Sequence, residues 1–226
     1  DRLTRKGSGY TASHEPDVMI AADPWFVGVS LVYGPDGAVY SSDFSDTGEC
    51  HHHINTQKHT GRIFKIAYGK PKTWQGDLNK LSNEELLKLN LHKNDWFVRH
   101  ARRILQERQA DTSALVKTLK SDLPVPSRLR ALWALHVSGH LHKPMLSNLL
   151  NDSSEHIRAW AIQLLCENRK PGVAVCKKLA QLAKNDKSPL VRLYLASAMQ
   201  RLSFSERTPI LKRLLAHAED VKDQNL

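Results

Sequence analysis

With 226 residues, 41% of them hydrophobic and 25% charged, the chain has enough apolar material to pack one large domain or two small ones, which argues against general disorder. No run approaches the roughly 20 apolar residues that a membrane-spanning helix needs, and no basic stretch followed by an apolar one stands at the N-terminus. The net charge of +10 is uneven: residues 1–70 carry seven Lys/Arg against eight Asp/Glu, net −1, so the remainder carries 26 against 15, net +11. Such a surface attracts phosphate, nucleic acid or an acidic protein, but solvated Lys and Arg on outer helix faces give the same count.

The chain opens at Asp1 without an initiator methionine and reads as a segment of something longer. Leu3 to Ala22, interrupted by Gly7, Gly9 and Pro16, predicts one or two irregular strands. Residues 27–33 and 38–44 are β-rich runs separated by Gly34-Pro35-Asp36-Gly37, in which proline fixes φ and glycine accepts a positive one, so a tight hairpin is expected. A third run, Gly61 to Tyr68, completes a three-stranded antiparallel meander.

From Ser82 the period becomes helical. Ser82-Asn83-Glu84-Glu85 has the form of an N-cap with early acids, and Leu86, Leu87 and Leu89 follow. Asp95 then precedes Trp96 to Arg108, whose Val98, Ala101, Ile104 and Leu105 share one face, with Thr112 to Lys120 as its partner. Further pairs are expected at Ser127–Val137 with Pro144–Leu150, Ser154–Glu167 with Val173–Lys184, and Pro189–Leu202 with Thr208–Ala218. An aliphatic residue followed by arginine recurs at Val98-Arg99, Leu129-Arg130, Ile157-Arg158 and Val191-Arg192, with steps of 31, 28 and 34 residues between the arginines. That recurrence is the signature of a helical solenoid, whose units are too small to bury their own apolar faces and stack instead. Asp95, Asp122, Asp152 and Asp186 recur at the turns, placed for these arginines to bridge neighbouring repeats. The fold class is therefore α+β: a strand part over residues 1–70, then a helical solenoid of about four helix pairs over residues 71–226.

The segment from Ser45 to Thr60 is longer than a plain hairpin connection needs and is rich in metal-binding side chains. Asp43, Asp46, Cys50, His51, His53 and His59 are the candidate ligands for a divalent metal, because imidazole, thiolate and carboxylate together form a transition-metal set. The alternative is a polar surface loop with a chance histidine run. His136 and His140, four apart, could chelate on a helix face, with C-terminal helix stabilisation as the plainer role. Trp74, Trp96, Trp133 and Trp160 read as core or inter-repeat anchors, and Cys166 and Cys176 as small buried hydrophobes. No CxxC pair or CxxCH haem motif is present.

The residues Gly34-Pro35-Asp36-Gly37-Ala38-Val39-Tyr40, then Asp43-Phe44, then Gly61-Arg62-Ile63-Phe64-Lys65-Ile66 resemble the last blade of six-bladed β-propellers related to sugar and sorbosone dehydrogenases. With Lys6 to Tyr10, Asp23-Pro24-Trp25-Phe26 and Asp46 to His51, the chain looks closer still to large membrane-bound dehydrogenases of planctomycete-type bacteria. In that family a quinoprotein-like propeller precedes HEAT-like repeats, often with a cytochrome c domain. The resemblance implies a C-terminal blade segment at residues 1–70 and a parent that uses pyrroloquinoline quinone and a divalent metal in an extracytoplasmic setting. It also implies partners in the parent's other blades and a cytochrome c domain or another protein. The blades that hold the catalytic groups in that family have no counterpart here, so no catalytic or cofactor-binding residue is assigned, and the segment alone is expected to be inactive. The competing reading is a HEAT-like solenoid that binds a protein or nucleic acid through its basic surface. Nucleic acid is the less favoured of the two.

Overall fold

In a computed structural model, residues 1–44 and 60–226 are described. They pack as two compact units, one of residues 1–15 and 109–226, the other of residues 16–108. Both carry strands and helices, so the change from strand to helix along the chain and the division into packed units fall at different places.

The N-terminal strands are more regular than their sequence suggests. β1 (Arg2–Lys6) and β2 (Gly9–Ser13) form an antiparallel hairpin closing at Lys6 and Gly9. Gly7 takes a positive φ in the turn, and a Cβ there would strike the Asp223 carboxylate. That carboxylate accepts from the Ser8 N–H and the Ser8 hydroxyl, both at 2.7 Å. Arg5 adds an ion pair to Glu155 at 3.3 Å. The hairpin thus owes its place to polar bonds with the far end of the sequence, which no local pattern announces.

The unit of residues 16–108 holds the predicted meander: β3 (Gly28–Tyr33), β4 (Val39–Asp43) and β5 (Arg62–Ile66), all antiparallel, in the order β3-β4-β5. The Gly34-to-Gly37 turn closes it, with Gly37 at φ +79° and the Gly34 N–H donating to Ala38 O at 2.9 Å. Two helices follow. α1 (Asn83–Leu89) starts in a capping box between Ser82 and Glu85, as the sequence predicts. α2 (Asp95–Glu107) is capped by Asn94, whose Oδ1 accepts from the Trp96 N–H while its Nδ2 donates to Gly34 O at 3.0 Å. One asparagine therefore begins the helix and joins it to the hairpin turn. Val98, Ala101, Ile104 and Leu105 are buried on one face of α2, together with Leu86 of α1.

The other unit continues with α3 (Leu115–Lys120), α4 (Val125–Val137), α5 (Lys143–Leu149), α6 (Glu155–Cys166), α7 (Val173–Asn185), α8 (Pro189–Ala198) and α9 (Phe204–Leu214). α4 packs on α6 and α6 on α8, while α7 packs on α9. This is the stacking of antiparallel pairs expected of the repeat, built over Leu132, Leu135, Ile157, Ile162, Leu179 and Leu195, all fully buried. Buried Ala131, Ala134, Ala159 and Ala161 let the helices approach closely.

An arginine–aspartate ladder links the pairs. Arg128 pairs with Asp152 at 2.5 Å, Arg158 with Asp186 at 2.7 Å and Arg192 with Asp220 at 2.5 Å. Each aspartate but the last also receives the N–H of a serine two residues on, Ser154 or Ser188. Each later arginine donates to the backbone carbonyl of the previous aspartate, Arg158 to Asp152 O and Arg192 to Asp186 O. The sequence pattern singles out Arg158 and Arg192 correctly but names Arg130 where Arg128 makes the bridge. Counting from the helix start explains the difference: Arg128, Arg158 and Arg192 are each the fourth residue after the caps Pro124, Ser154 and Ser188. α9 departs as well, beginning at Phe204 rather than Thr208, because Ser203 and Glu206 form a capping box upstream of Pro209.

Removing one partner of a buried pair strands the other charge, at about 3–5 kcal/mol. Arg192→Ala, at a side chain 3% exposed, is expected to lower unfolding stability by about that amount in urea titration. Arg103→Ala, which breaks a pair to Glu107 with both side chains 61% exposed, is expected to cost about 0.5 kcal/mol or less.

Candidate functional site

Of the six predicted metal ligands only Asp43 is among the described residues; Asp46, Cys50, His51, His53 and His59 lie outside them. Asp43 ends β4 and is buried. Its Oδ1 accepts from the Val27 N–H at 2.8 Å and its Oδ2 from Arg62 Nε at 2.6 Å. Arg62 Nη1 reaches Asp23 Oδ2 at 2.6 Å, and the guanidinium lies over the Phe64 ring, which meets Phe26 edge-on. This knot ties β4 and β5 to the 23–27 segment. The Trp25 N–H and then the Arg62 guanidinium hold the Asp23 carboxyl below its usual range, and the two carboxylates raise the Arg62 value. The Asp43 side chain is thus bonded to an arginine and shielded from solvent.

A second carboxylate organises the hairpin turn. Asp36 pairs with Lys65 at 2.5 Å and accepts from the Ala38 N–H and the Tyr40 hydroxyl. Lys65, ahead of the other two donors, brings its pKa down from 3.8 to about 2.

The histidines of the helical part do not converge. His136 sits in the last turn of α4 and pairs with Glu167 at 2.9 Å. His140 lies beyond the helix end, with Nε2 3.3 Å from Asp111. Gly139 at φ +79° turns the chain between them, so the four-residue spacing never places both on one helix face. Trp133 of α4 meets Trp160 of α6 edge-on at 5.1 Å, the inter-repeat anchor that the sequence suggests. Trp74 packs edge-on against Trp96 and Phe97. Cys166 and Cys176 are free and buried, and burial pushes the Cys166 thiol up to about 11. A thiol so raised is a poor nucleophile near neutrality. Among the described residues no group of three His, Cys, Asp or Glu side chains is placed to hold a metal ion.

Two clefts escaped the sequence reading. A groove of about 370 Å³ runs between α7 and α9, lined by Val173, Cys176, Lys177, Ala180, Pro209 and Arg213 among others. Val173, Phe204 and Leu215 stand 70%, 75% and 77% exposed on the same two helices and their connections. Within the other unit, a cleft of about 520 Å³ lies between β3 and α2, lined by Leu31, Tyr33, Tyr40, Trp96, Arg99 and Arg103 among others. The available signal was the spacing of Trp96, Arg99, His100 and Arg103, which puts an aromatic and basic stripe on the face of α2 opposite its apolar one.

Residues 142–224 match the family model for HEAT repeats. These residues span α5 to α9 and two of the three ladder pairs. No curated protein matches the chain. No helix among the described residues is long and apolar enough to cross a membrane.

The depressed Asp36 value gives a pH prediction. A carboxylate whose folded pKa lies below its unfolded one stabilises the fold above the unfolded value and loses that contribution as pH falls through the folded one. Sheet stability is therefore expected to decline between pH 4 and 2, the interval between the unfolded 3.8 and the folded value of about 2. The Asp36→Asn variant is expected to show a flatter decline in that window when unfolding is followed by tyrosine fluorescence.

Proposed function

We propose that the chain is a helical scaffold that docks a protein partner, and that it serves as the C-terminal region of a propeller-type oxidoreductase. The observation that carries the docking is the α7–α9 groove, a concave surface on helices covered by the HEAT match, with Val173 70% exposed at its lining. Stacked helical repeats present extended surfaces of this kind, and apolar side chains clustered on one face mark interaction sites. Lys177 and Arg213 outnumber Glu206 in the lining, which favours a partner with acidic groups around an apolar core.

The oxidoreductase reading is finer and rests on the resemblance of residues 34–40, 43–44 and 61–66 to a last propeller blade, together with the antiparallel meander those residues build. It brings with it the parent's other blades, a cytochrome c domain or other protein as electron partner, and pyrroloquinoline quinone and a divalent metal in the full-length parent. The Asp43, Asp46, Cys50, His51, His53 and His59 set belongs to that reading as candidate ligands for a divalent metal, Asp43 also bonding the Val27 N–H and Arg62.

Two measurements separate the levels. Val173→Glu with Lys177→Glu, both exposed at the groove lining, is expected to leave the fold intact and to weaken partner cross-linking from the groove about tenfold or more. Unchanged cross-linking sinks the docking surface. The oxidoreductase reading expects further blade-type repeats with Gly-Pro-Asp-Gly turns to be encoded upstream in the same open reading frame; their absence removes it and leaves the scaffold standing. Sugar oxidation by the isolated chain would overturn the scaffold reading itself.

A further inference from the structure

We infer that the cleft between β3 and α2 binds an extended peptide segment bearing acidic side chains, which adds to the open edge of β3. The inference concerns the unit of residues 16–108 and stands apart from the α7–α9 groove.

The edge comes first. β3 is an outer strand of the three-stranded sheet, and all six of its residues are exposed. The Gly34 N–H donates to Ala38 O, and paired positions alternate along an antiparallel ladder. Val32, opposite Tyr40, therefore turns its backbone toward β4, while Leu31 and Tyr33 turn theirs outward. Among the described residues no backbone bond reaches those outward groups from another segment. Leu31 is 71% exposed, and Val29 and Val32 are exposed as well. An unpaired, apolar edge of this kind is a template for another strand unless charge or proline blunts it, and β3 has neither.

The opposite wall sets the chemistry. Trp96 and His100 stack at 4.1 Å with an angle of 26°, and His100 Nδ1 donates to Trp96 O at 2.8 Å, which fixes the pair. Trp74 and Phe97 close edge-on around Trp96, making the wall rigid. The Tyr33 hydroxyl donates to Asp95 at the start of α2, so strand and helix are tied at one end of the cleft. Every charged side chain that lines the cleft is basic: Arg99 and Arg103, one turn apart on α2. Arg99 has no hydrogen bond or ion pair among the described residues. Arg103 has an exposed contact to Glu107 at 3.4 Å, the kind of pair that contributes about 0.5 kcal/mol and yields readily to a better acceptor.

A strand added at β3 would project alternate side chains toward this wall, which is how strand addition combines backbone affinity with side-chain choice. Acids at alternate positions would meet Arg99 and Arg103 in charge-assisted bonds beside the aromatic face. The charge and the edge thus select one occupant together, an extended and acidic segment.

The test uses the full chain and calorimetric titration with a short peptide of alternating glutamate and valine. Binding is expected, and both the glutamine counterpart and the Arg99→Glu/Arg103→Glu variant are expected to weaken it by about tenfold or more. A glutamate peptide N-methylated along its pairing edge is expected not to bind. Circular dichroism checks that the variant folds; if it does not, the glutamine and N-methyl peptides on the unaltered chain still decide. Indifference to the charge reversal overturns the inference, as does equal binding of the N-methylated peptide. So does a failure of every peptide while single-stranded oligothymidine binds, or while the chain itself dimerises through this edge.

Discussion

The arginine–aspartate ladder is the constraint on which the helical unit depends. A guanidinium on the second turn of one helix reaches the turn before the next equivalent helix, and that turn's aspartate also fixes a serine N–H at the following helix start. Each of the first two rungs therefore sets two things, the spacing between repeats and the point where the next helix begins. Planar guanidinium and carboxylate groups suit this because a bidentate contact defines an angle as well as a distance. Arg192 makes it with both Nε and Nη2 on Asp220, and gives Nη1 to Asp186 O. Neighbouring rungs consequently share a residue, and the ladder runs without a break from Arg128 to Asp220.

Once the rungs fix the repeats, the apolar interior needs little directional information. The fully buried leucines and isoleucines fill space between helices already in register, and the alanines decide how close those helices come. The Trp133–Trp160 contact sits between α4 and α6, the two helices joined by the Arg128–Asp152 rung and the Arg158 bond to Asp152 O. Polar orientation and aromatic packing act there on the same joint. The β1–β2 hairpin extends the logic: it is held by Asp223 on Ser8 and by Glu155 on Arg5, the latter carboxylate also bonded to the Ser188 hydroxyl.

What the sequence made legible follows from the range of the interactions involved. The meander was readable because the Gly34-to-Gly37 turn and the alternating runs are local, and the helices because their apolar positions recur within a few residues. Arg128 was missed because an aliphatic-arginine dipeptide is a weaker marker than position after the cap, and Pro126 hid where α4 begins. The start of α9 was missed because Pro209 looked like a boundary while the Ser203–Glu206 box was the stronger signal. His136 and His140 share a spacing but not a helix, since Gly139 ends α4 between them. The HEAT match over residues 142–224 agrees with the helical pattern where the ladder is most regular. Both clefts escaped notice because each is made by elements distant in sequence, β3 with α2 and α7 with α9.

The charge distribution shows how little a count says about a site. Residues 1–70 carry a net charge of −1, and the surplus of +11 lies beyond them. Yet within that surplus Arg128, Arg158 and Arg192 are matched one to one by aspartates and present no free charge to a partner. Within the acidic stretch, Asp23, Asp36 and Asp43 are likewise engaged by Arg62 and Lys65, so their negative charge is not available either. The electrostatics that a partner meets at the β3–α2 cleft come instead from Arg99 and Arg103, outside the ladder and attached to a sheet whose own charges cancel. Recognition on such a surface is set by the few ions that the fold engages weakly beside an open edge, and only the folded arrangement distinguishes them from those that hold the fold together.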